Sequence, residues 1–272
     1  MMAGCADFEK YIEHTVIVPN TPKGFYEIID INTGAVLDQD TYVNQNNMLE
    51  VTFEVDQDVA NIEFRISEGD FMESHDPSIQ ISLGRGETFS LAIDNSEAST
   101  VVLTPITHLA SCFARAKAST EVDQNLSQYL QKMFTRFEEL LGLDGIKGLQ
   151  GQNFIRDQME AAQAYGFYLK AFSHLSYQYF TSNPSTDPSL QINTLGLLQK
   201  LCADYEGDLK LDGQGKEGAI LHGGTQVGVS TLTTDLSSSL EAYIRGDFTD
   251  INLEPFKIKE LQKPLLEFSG EF

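Results

Sequence analysis

The sequence predicts an α+β fold in two domains, an N-terminal β-sandwich followed by a bundle-like α-helical domain. Three observations carry that reading. Up to Leu103 the apolar residues alternate with polar ones in short runs bounded by Gly, Pro, Asn and Asp. After Pro105 they recur at steps of three and four. Charge divides at the same place: residues 1–103 hold 19 acidic and 4 basic side chains, whereas residues 104–272 hold 21 and 14. The expected divisions are an N-terminal anchor segment at 1–10, the β-sandwich at 11–103, the helical domain at 104–247 and an extended C-terminal arm at 248–272.

Seven or so strands are expected at spacings of about 8–12 residues, the pattern of a sandwich. Tyr11 to Val18 is rich in β-branched residues and ends at Pro19. Phe25 to Ile31 follows, and Asn32-Thr33-Gly34 turns the chain so that Ala35 to Leu37 runs back beside it. In Met48 to Val55, Leu49, Thr52 or Phe53 and Val55 compete for the inner face. In Ala60 to Ile66, Ile62, Phe64 and Ile66 point one way and Asn61, Glu63 and Arg65 the other. Ile79 to Leu83 is expected to turn at Gly84-Arg85-Gly86 into Thr88 to Ile93, and Val101 to Leu103 closes the series.

At the junction, Thr104 is expected to cap a helix that begins with Pro105, whose missing N–H costs nothing in a first turn. Ile106, Leu109, Ala110 and Phe113 then wedge between the domains. A helical stripe runs through Val122, Leu126, Leu130, Met133, Phe137 and Leu141, with Thr120 and Asp123 as its start and Gly142 as its stop. A second runs from Ile155 to Leu175 and breaks at Pro184 and Pro188. A third joins Leu195 to Tyr205, and a fourth joins Val229 to Tyr243. These stripes are core signals, and Tyr165, Phe167, Tyr168 and Phe172 are expected to pack rather than to hold a cofactor.

The 272 residues carry 40 acidic and 18 basic side chains, a formal net charge of −22. So acidic a chain is poorly suited to nucleic acid or to anionic lipid surfaces. No stretch approaches the roughly 20 apolar residues of a membrane-spanning helix. Catalytic motifs are missing: there is no G-x-S-x-G, H-E-x-x-H or P-loop, and Gly213-Gln214-Gly215-Lys216-Glu217-Gly218 follows a helix rather than a strand. His14, His75, His108, His174 and His222 show no metal spacing, and His108 and His174 read as hydrogen-bonded packing residues. Asp204, Glu206, Asp208 and Asp212 crowd a helix end with the oxygen ligands calcium takes, either a structural calcium site or a solvated turn. Asn125-Leu126-Ser127 is a formal glycosylation sequon within the expected helix. Cys112 and Cys202 lie on apolar helical faces, as free thiols or as a disulfide, since sequence gives no distance.

Two resemblances add an address. Met2-Ala3-Gly4-Cys5 resembles a bacterial lipobox, which makes Cys5 the expected lipidation site; Met2 stands where the pattern has Leu. Val101-Val102-Leu103-Thr104-Pro105-Ile106-Thr107-His108-Leu109-Ala110 resembles the "TPLTxLA" junction of bacterial surface proteins and lipoproteins. In that family an immunoglobulin- or carboxypeptidase-regulatory-like β-domain hands over to an α-helical domain. Ile66-Ser67-Glu68-Gly69-Asp70-Phe71 looks like the family's Gly-Gly-aromatic turn, with Glu68 for the first Gly. Phe137 to Leu143, Tyr165 to Ser176 and Asp208 to Gly213 are similar to its later motifs, so the likeness spans about Ile28 to Tyr243. It implies an exported envelope protein and transfers no catalytic residue. The expected function is therefore non-enzymatic: adhesion, interaction or assembly at the outer membrane or cell surface. The partner would be a protein or a second copy rather than nucleic acid, and membrane contact would run through Cys5 alone. Two alternatives stand beside it: an extracellular fibre subunit exchanging strands through Lys10 to Pro19 or Phe256 to Phe268, and a small-molecule or carbohydrate binder using the helical aromatics.

Overall fold

A computed structural model describes residues 11–44, 46–121, 125–149, 161–182, 193–216, 218–222, 225–226, 229–246, 255–269 and 272. Cys5 lies outside them, as do Val122, Asp123, Ile155, Met159, Pro184, Pro188 and Glu217. The fold is α+β. Seven strands come first: β1 Tyr11–Pro19, β2 Lys23–Asp30, β3 Val36–Val43, β4 Met48–Asp56, β5 Asn61–Met72, β6 Gln80–Asp94 and β7 Ser99–Val102. Helices α1 Pro105–Thr120, α2 Leu126–Leu141, α3 Ala161–Ser182, α4 Thr194–Asp208, α5 Val229–Arg245 and α6 Pro255–Glu267 follow. Between α4 and α5 lie the short hairpins β8 Gln214–Gly215 with β9 Gly218–Ala219, and β10 Leu221–His222 with β11 Thr225–Gln226.

The seven strands form two sheets, ordered β4-β1-β7 and β3-β2-β5-β6. β1 is central in the first, antiparallel to β4 and parallel to β7. The period-2 alternation of β4 resolves cleanly: Leu49, Val51, Phe53 and Val55 are buried, while Thr52 faces out and shares a hydroxyl hydrogen bond with Thr15 across the ladder at 3.0 Å. Phe53 reaches Phe64 of the other sheet with ring centroids 6.4 Å apart. Ile62, Phe64 and Ile66 are buried as their spacing requires.

Several expectations are corrected. The outer face of β5 is not solvent-facing: Asn61 and Glu63 are buried, because Ser127 donates to Asn61 at 3.1 Å and Arg115 of α1 pairs with Glu63. Gly84-Arg85-Gly86 does not turn the chain, since β6 runs unbroken from Gln80 to Asp94. Leu83 stands opposite Gly69 and Thr88 opposite Ser67, so the extra residues bulge out of the ladder. On the facing strand Glu68 takes φ 61° and Gly69 φ 137°, and a Cβ at Gly69 would sit 2.4 Å from the Lys23 carbonyl. The family-like turn is thus a bulge that only Gly fits at its second position. The reversal between β5 and β6 comes at 73–79 instead, where the Asp76 carboxylate accepts the Ser78 N–H at 3.0 Å and its hydroxyl at 2.6 Å.

In the helical part, α1 continues to Thr120, and α2 starts from Asn125, not Thr120: the Asn125 side chain accepts the Gln128 N–H at 3.1 Å. The sequon Asn is therefore a cap, not a helix-interior residue. Gly142 ends α2 with φ 63°, as expected, and sits so close to Pro264 that a Cβ would lie 2.6 Å from its ring. The extended C-terminal arm is replaced by α6, whose Ile258, Leu261 and Leu265 are buried at helical spacing. The prolines that argued for an arm sit at its first position and in its last turns, and the helix tolerates both. Buried apolar residues from Val16 to Leu265 form one continuous cluster through sheets and helices.

Candidate functional site

The two outer strands of the four-stranded sheet present backbone groups that no further strand takes up, and the chain treats them differently. At β6, α1 lies along the edge. His108 Nδ1 lies against both backbone groups of Ser90, 3.0 Å from its N and 2.9 Å from its carbonyl oxygen, and the Ala92 N–H donates to Ser111 Oγ at 3.1 Å. Burial holds the His108 imidazole down to about 4, against the opposing pull of the Ser90 backbone, so the ring is neutral. Beyond it, Arg115 pairs with Glu63 and donates to Ser90 Oγ at 3.3 Å. Burial alone would raise Glu63, but Arg115, the Ser90 hydroxyl and Arg65 outweigh it and hold the carboxyl below its ordinary range.

The expected junction residues build this cover. The Thr104 side chain caps α1 by accepting the Thr107 N–H at 3.2 Å, and Thr107 Oγ1 accepts the Thr104 N–H at 2.8 Å, a reciprocal capping box. Pro105 opens the helix, Leu109 is buried between sheet and helices, and Tyr165 from α3 closes over Thr104 with an oxygen–oxygen distance of 2.6 Å. Behind α1, Cys112 and Cys202 are joined as a disulfide with Cα atoms 6.0 Å apart, which settles the alternative left open by sequence. The junction is thus a structural clasp.

At β3 the opposite holds. Every residue of the strand but half-buried Tyr42 is exposed, with Val36, Leu37 and Val43 at 49 %, 41 % and 85 % exposure. The Asn44 N–H points inward to the Pro22 carbonyl at 2.6 Å, so by alternation Gln39 and Thr41 turn their N–H groups outward. Two carboxylates occupy them: Asp38 accepts the Gln39 N–H at 2.9 Å and Asp40 the Thr41 N–H at 2.7 Å. Each aspartate covers the amide that follows it. The strand runs to Val43, past the expected end at Leu37, because Asp38, Gln39 and Asp40 pair in the ladder with β2 without burying an apolar side chain, a surface that apolar alternation does not report.

The remaining candidates fall out differently. Among the described residues no group of three or more His, Cys, Asp or Glu side chains could hold a metal, and the expected calcium ligands do not converge. Asp204 is fully buried and accepts the Gly213 N–H at 3.0 Å, Asp208 accepts from Lys210 at 3.0 Å, Asp212 from Gln214 at 2.9 Å, and Glu206 lies toward Cys112. Burial raises Asp204 to about 6, against the pull of the Gly213 N–H and with repulsion from Asp212 and Asp208 adding to it. In the G-x-G-x-x-G string, Gln214 and Gly215 pair with Ala219 and Gly218 as β8 and β9 after α4, which is not the strand–helix arrangement of a dinucleotide site. Tyr165 and Tyr168 are buried, the latter donating to the Leu261 carbonyl at 2.7 Å, so these aromatics pack as their helical stripe implies and do not form the ligand platform of the alternative reading. His174 Nδ1 lies 3.0 Å from the Ser239 hydroxyl, as a packing histidine would.

A polar cluster that no spacing announced joins the 73–79 turn to the helices. Buried Glu73 accepts the Thr194 N–H at 2.8 Å at the start of α4 and also the Ser173 and Thr194 hydroxyls, while His75 Nδ1 lies 2.8 Å from Ser173 Oγ. Burial raises Glu73 despite these donors. One groove of about 350 Å³ runs between the end of β6, β7 and α2, floored by Leu91, Ile93, Val101, Leu130 and Phe134. Lys147 stands at its rim, its Nζ 4.8 Å from the centre of the Phe134 ring. Compared with protein-family models, curated proteins and solved structures, the chain matches none.

Proposed function

We propose that the chain is a non-enzymatic interaction protein of the bacterial cell envelope, lipid-anchored at Cys5 and displayed at the outer membrane or cell surface. In this reading the N-terminal sheets are an immunoglobulin-like sandwich carried on a helical base, and the partner is a protein, not nucleic acid. The observation that carries it is β3, an eight-residue edge strand exposed at every residue but Tyr42 and bearing three exposed apolar side chains. Open edges are the places where extended segments of other proteins add to a sheet. The lipobox-like Met2 to Cys5 and the acidic N-terminal surface suit an exported display protein.

The strand-exchange fibre loses its two arms: Tyr11–Pro19 is the central strand of its own sheet, and Pro255–Glu267 is a helix packed into the core. In this reading assembly runs through the exposed edge strand β3 instead. A second reading, small-molecule binding, rests on the 350 Å³ groove beside Lys147, a volume within the range of ligand pockets. Expressing the full gene in a bacterium with labelled palmitate tests the main reading. Label that disappears in Cys5→Ala, together with protease accessibility on intact cells, is the expected result. Unlabelled cytosolic protein, or clean hydrolase turnover, would overturn it.

A further inference from the structure

We propose that β3 is a gated docking strand for an extended, basic segment of a partner protein, with Asp38 and Asp40 as the gate. This rests on the reading of β3 as the interaction edge and names its partner class. An added strand must place carbonyl oxygens on the outward N–H groups of Gln39 and Thr41, the two donors now held by the Asp38 and Asp40 carboxylates at 2.9 and 2.7 Å. Docking therefore requires both carboxylates to swing off the edge. Once released they flank the incoming strand as two bare anions, and Lys or Arg side chains on that strand give them new partners. A neutral or acidic strand displaces the same carboxylates and offers nothing in return. The gate thus rejects most edges and admits a basic one.

Two further features point the same way. Residues 1–103 hold 19 acidic against 4 basic side chains, a field that draws basic segments toward this half of the molecule. A second copy is a poor occupant. An antiparallel two-fold pairing of β3 with itself sets residues of one face opposite each other. Centred on Gln39, it places Asp38 against Asp40 twice; centred on Asp38 or Asp40, it places that carboxylate against its own copy; centring on Thr41 avoids the clash only by shortening the pairing to residues 39–43.

The test titrates the full chain with three short peptides, in which Val alternates with Lys, with Thr or with Glu, and repeats each titration with Thr41→Pro and with Asp38→Asn/Asp40→Asn. Thr41→Pro removes an outward N–H on an edge strand, where proline is tolerated, and circular dichroism and melting check that it folds. The Lys–Val peptide is expected to bind the native chain and to lose at least about tenfold in affinity in either variant. The Glu–Val peptide is expected not to bind. If the Thr–Val or Glu–Val peptide binds as well, and Thr41→Pro abolishes it, edge docking holds and the basic partner class is overturned. If no peptide shows binding that Thr41→Pro removes, the reading of β3 as an interaction edge fails with it. Concentration-dependent dimerisation abolished by Thr41→Pro would replace the basic partner with a second copy.

Discussion

The sheet β3-β2-β5-β6 ends in two strands of similar exposure problem and unlike solution. At β6 the outward amides of Ser90 and Ala92 are covered by His108 and Ser111, side chains of a helix buried in the core and tied to α4 by Cys112–Cys202. At β3 the outward amides of Gln39 and Thr41 are taken by the neighbouring aspartates of the same strand, in water. Exposing the first edge means dislodging α1 and the core beneath it. Exposing the second means rotating two surface side chains. A covered edge is a structural seam; a self-capped edge stays available while resisting casual pairing.

The strength of the β6 cover can be broken in steps. Removing the disulfide with Cys112→Ala/Cys202→Ala frees a loop of 90 residues, and chain entropy puts the cost at about 4–5 kcal/mol, read as a large drop in the denaturant midpoint. Leu109→Ala hollows the seam and should cost about 2–5 kcal/mol in the same measurement. Acid attacks the seam through His108, whose folded value is depressed from 6.5 to about 4. Its contribution is present above pH 6.5 and is lost as pH falls toward 4, about 3 kcal/mol in all. His75 is depressed in the same direction and adds to the acid loss, so the diagnostic is a difference: His108→Gln should flatten the stability–pH curve between pH 6.5 and 4 by about that amount. The β3 guards sit at the other extreme. Asp38→Asn/Asp40→Asn should change stability by less than about 1 kcal/mol, since exposed caps contribute little and Asn can still accept from the amide. A loss several times larger would mean that β3 is part of the seam after all.

Much of this contrast was legible in the sequence, and its limits are physical. Thr104-Pro105 announced the start of α1 because a capping side chain followed by an N–H-free residue is a local signal. The length of α1 was not legible: twelve of its sixteen residues are buried, so the polar side that makes a helical period visible is missing. The same blindness hid the burial of Glu63, because alternation reports the faces of a strand and not what a distant helix lays across them. Asp38 and Asp40 read as the end of a strand, since apolar alternation sees only edges that bury something. The Glu73 cluster draws on residues about 100 and 121 positions apart in sequence, and no spacing rule reaches that far. Acidic residues around Asp204 suggested calcium, but side-chain direction decides convergence, and here the carboxylates turn to backbone amides instead.

Residue-resolved hydrogen exchange of four amides on one sheet tests the difference most directly. Ser90 and Ala92 are expected to exchange only through global unfolding, and so to track the stability lost in Cys112→Ala/Cys202→Ala. Gln39 and Thr41 are expected to exchange by local fluctuation, orders of magnitude faster and indifferent to that variant. Equal protection of all four amides would contradict the contrast between a sealed edge and a guarded one.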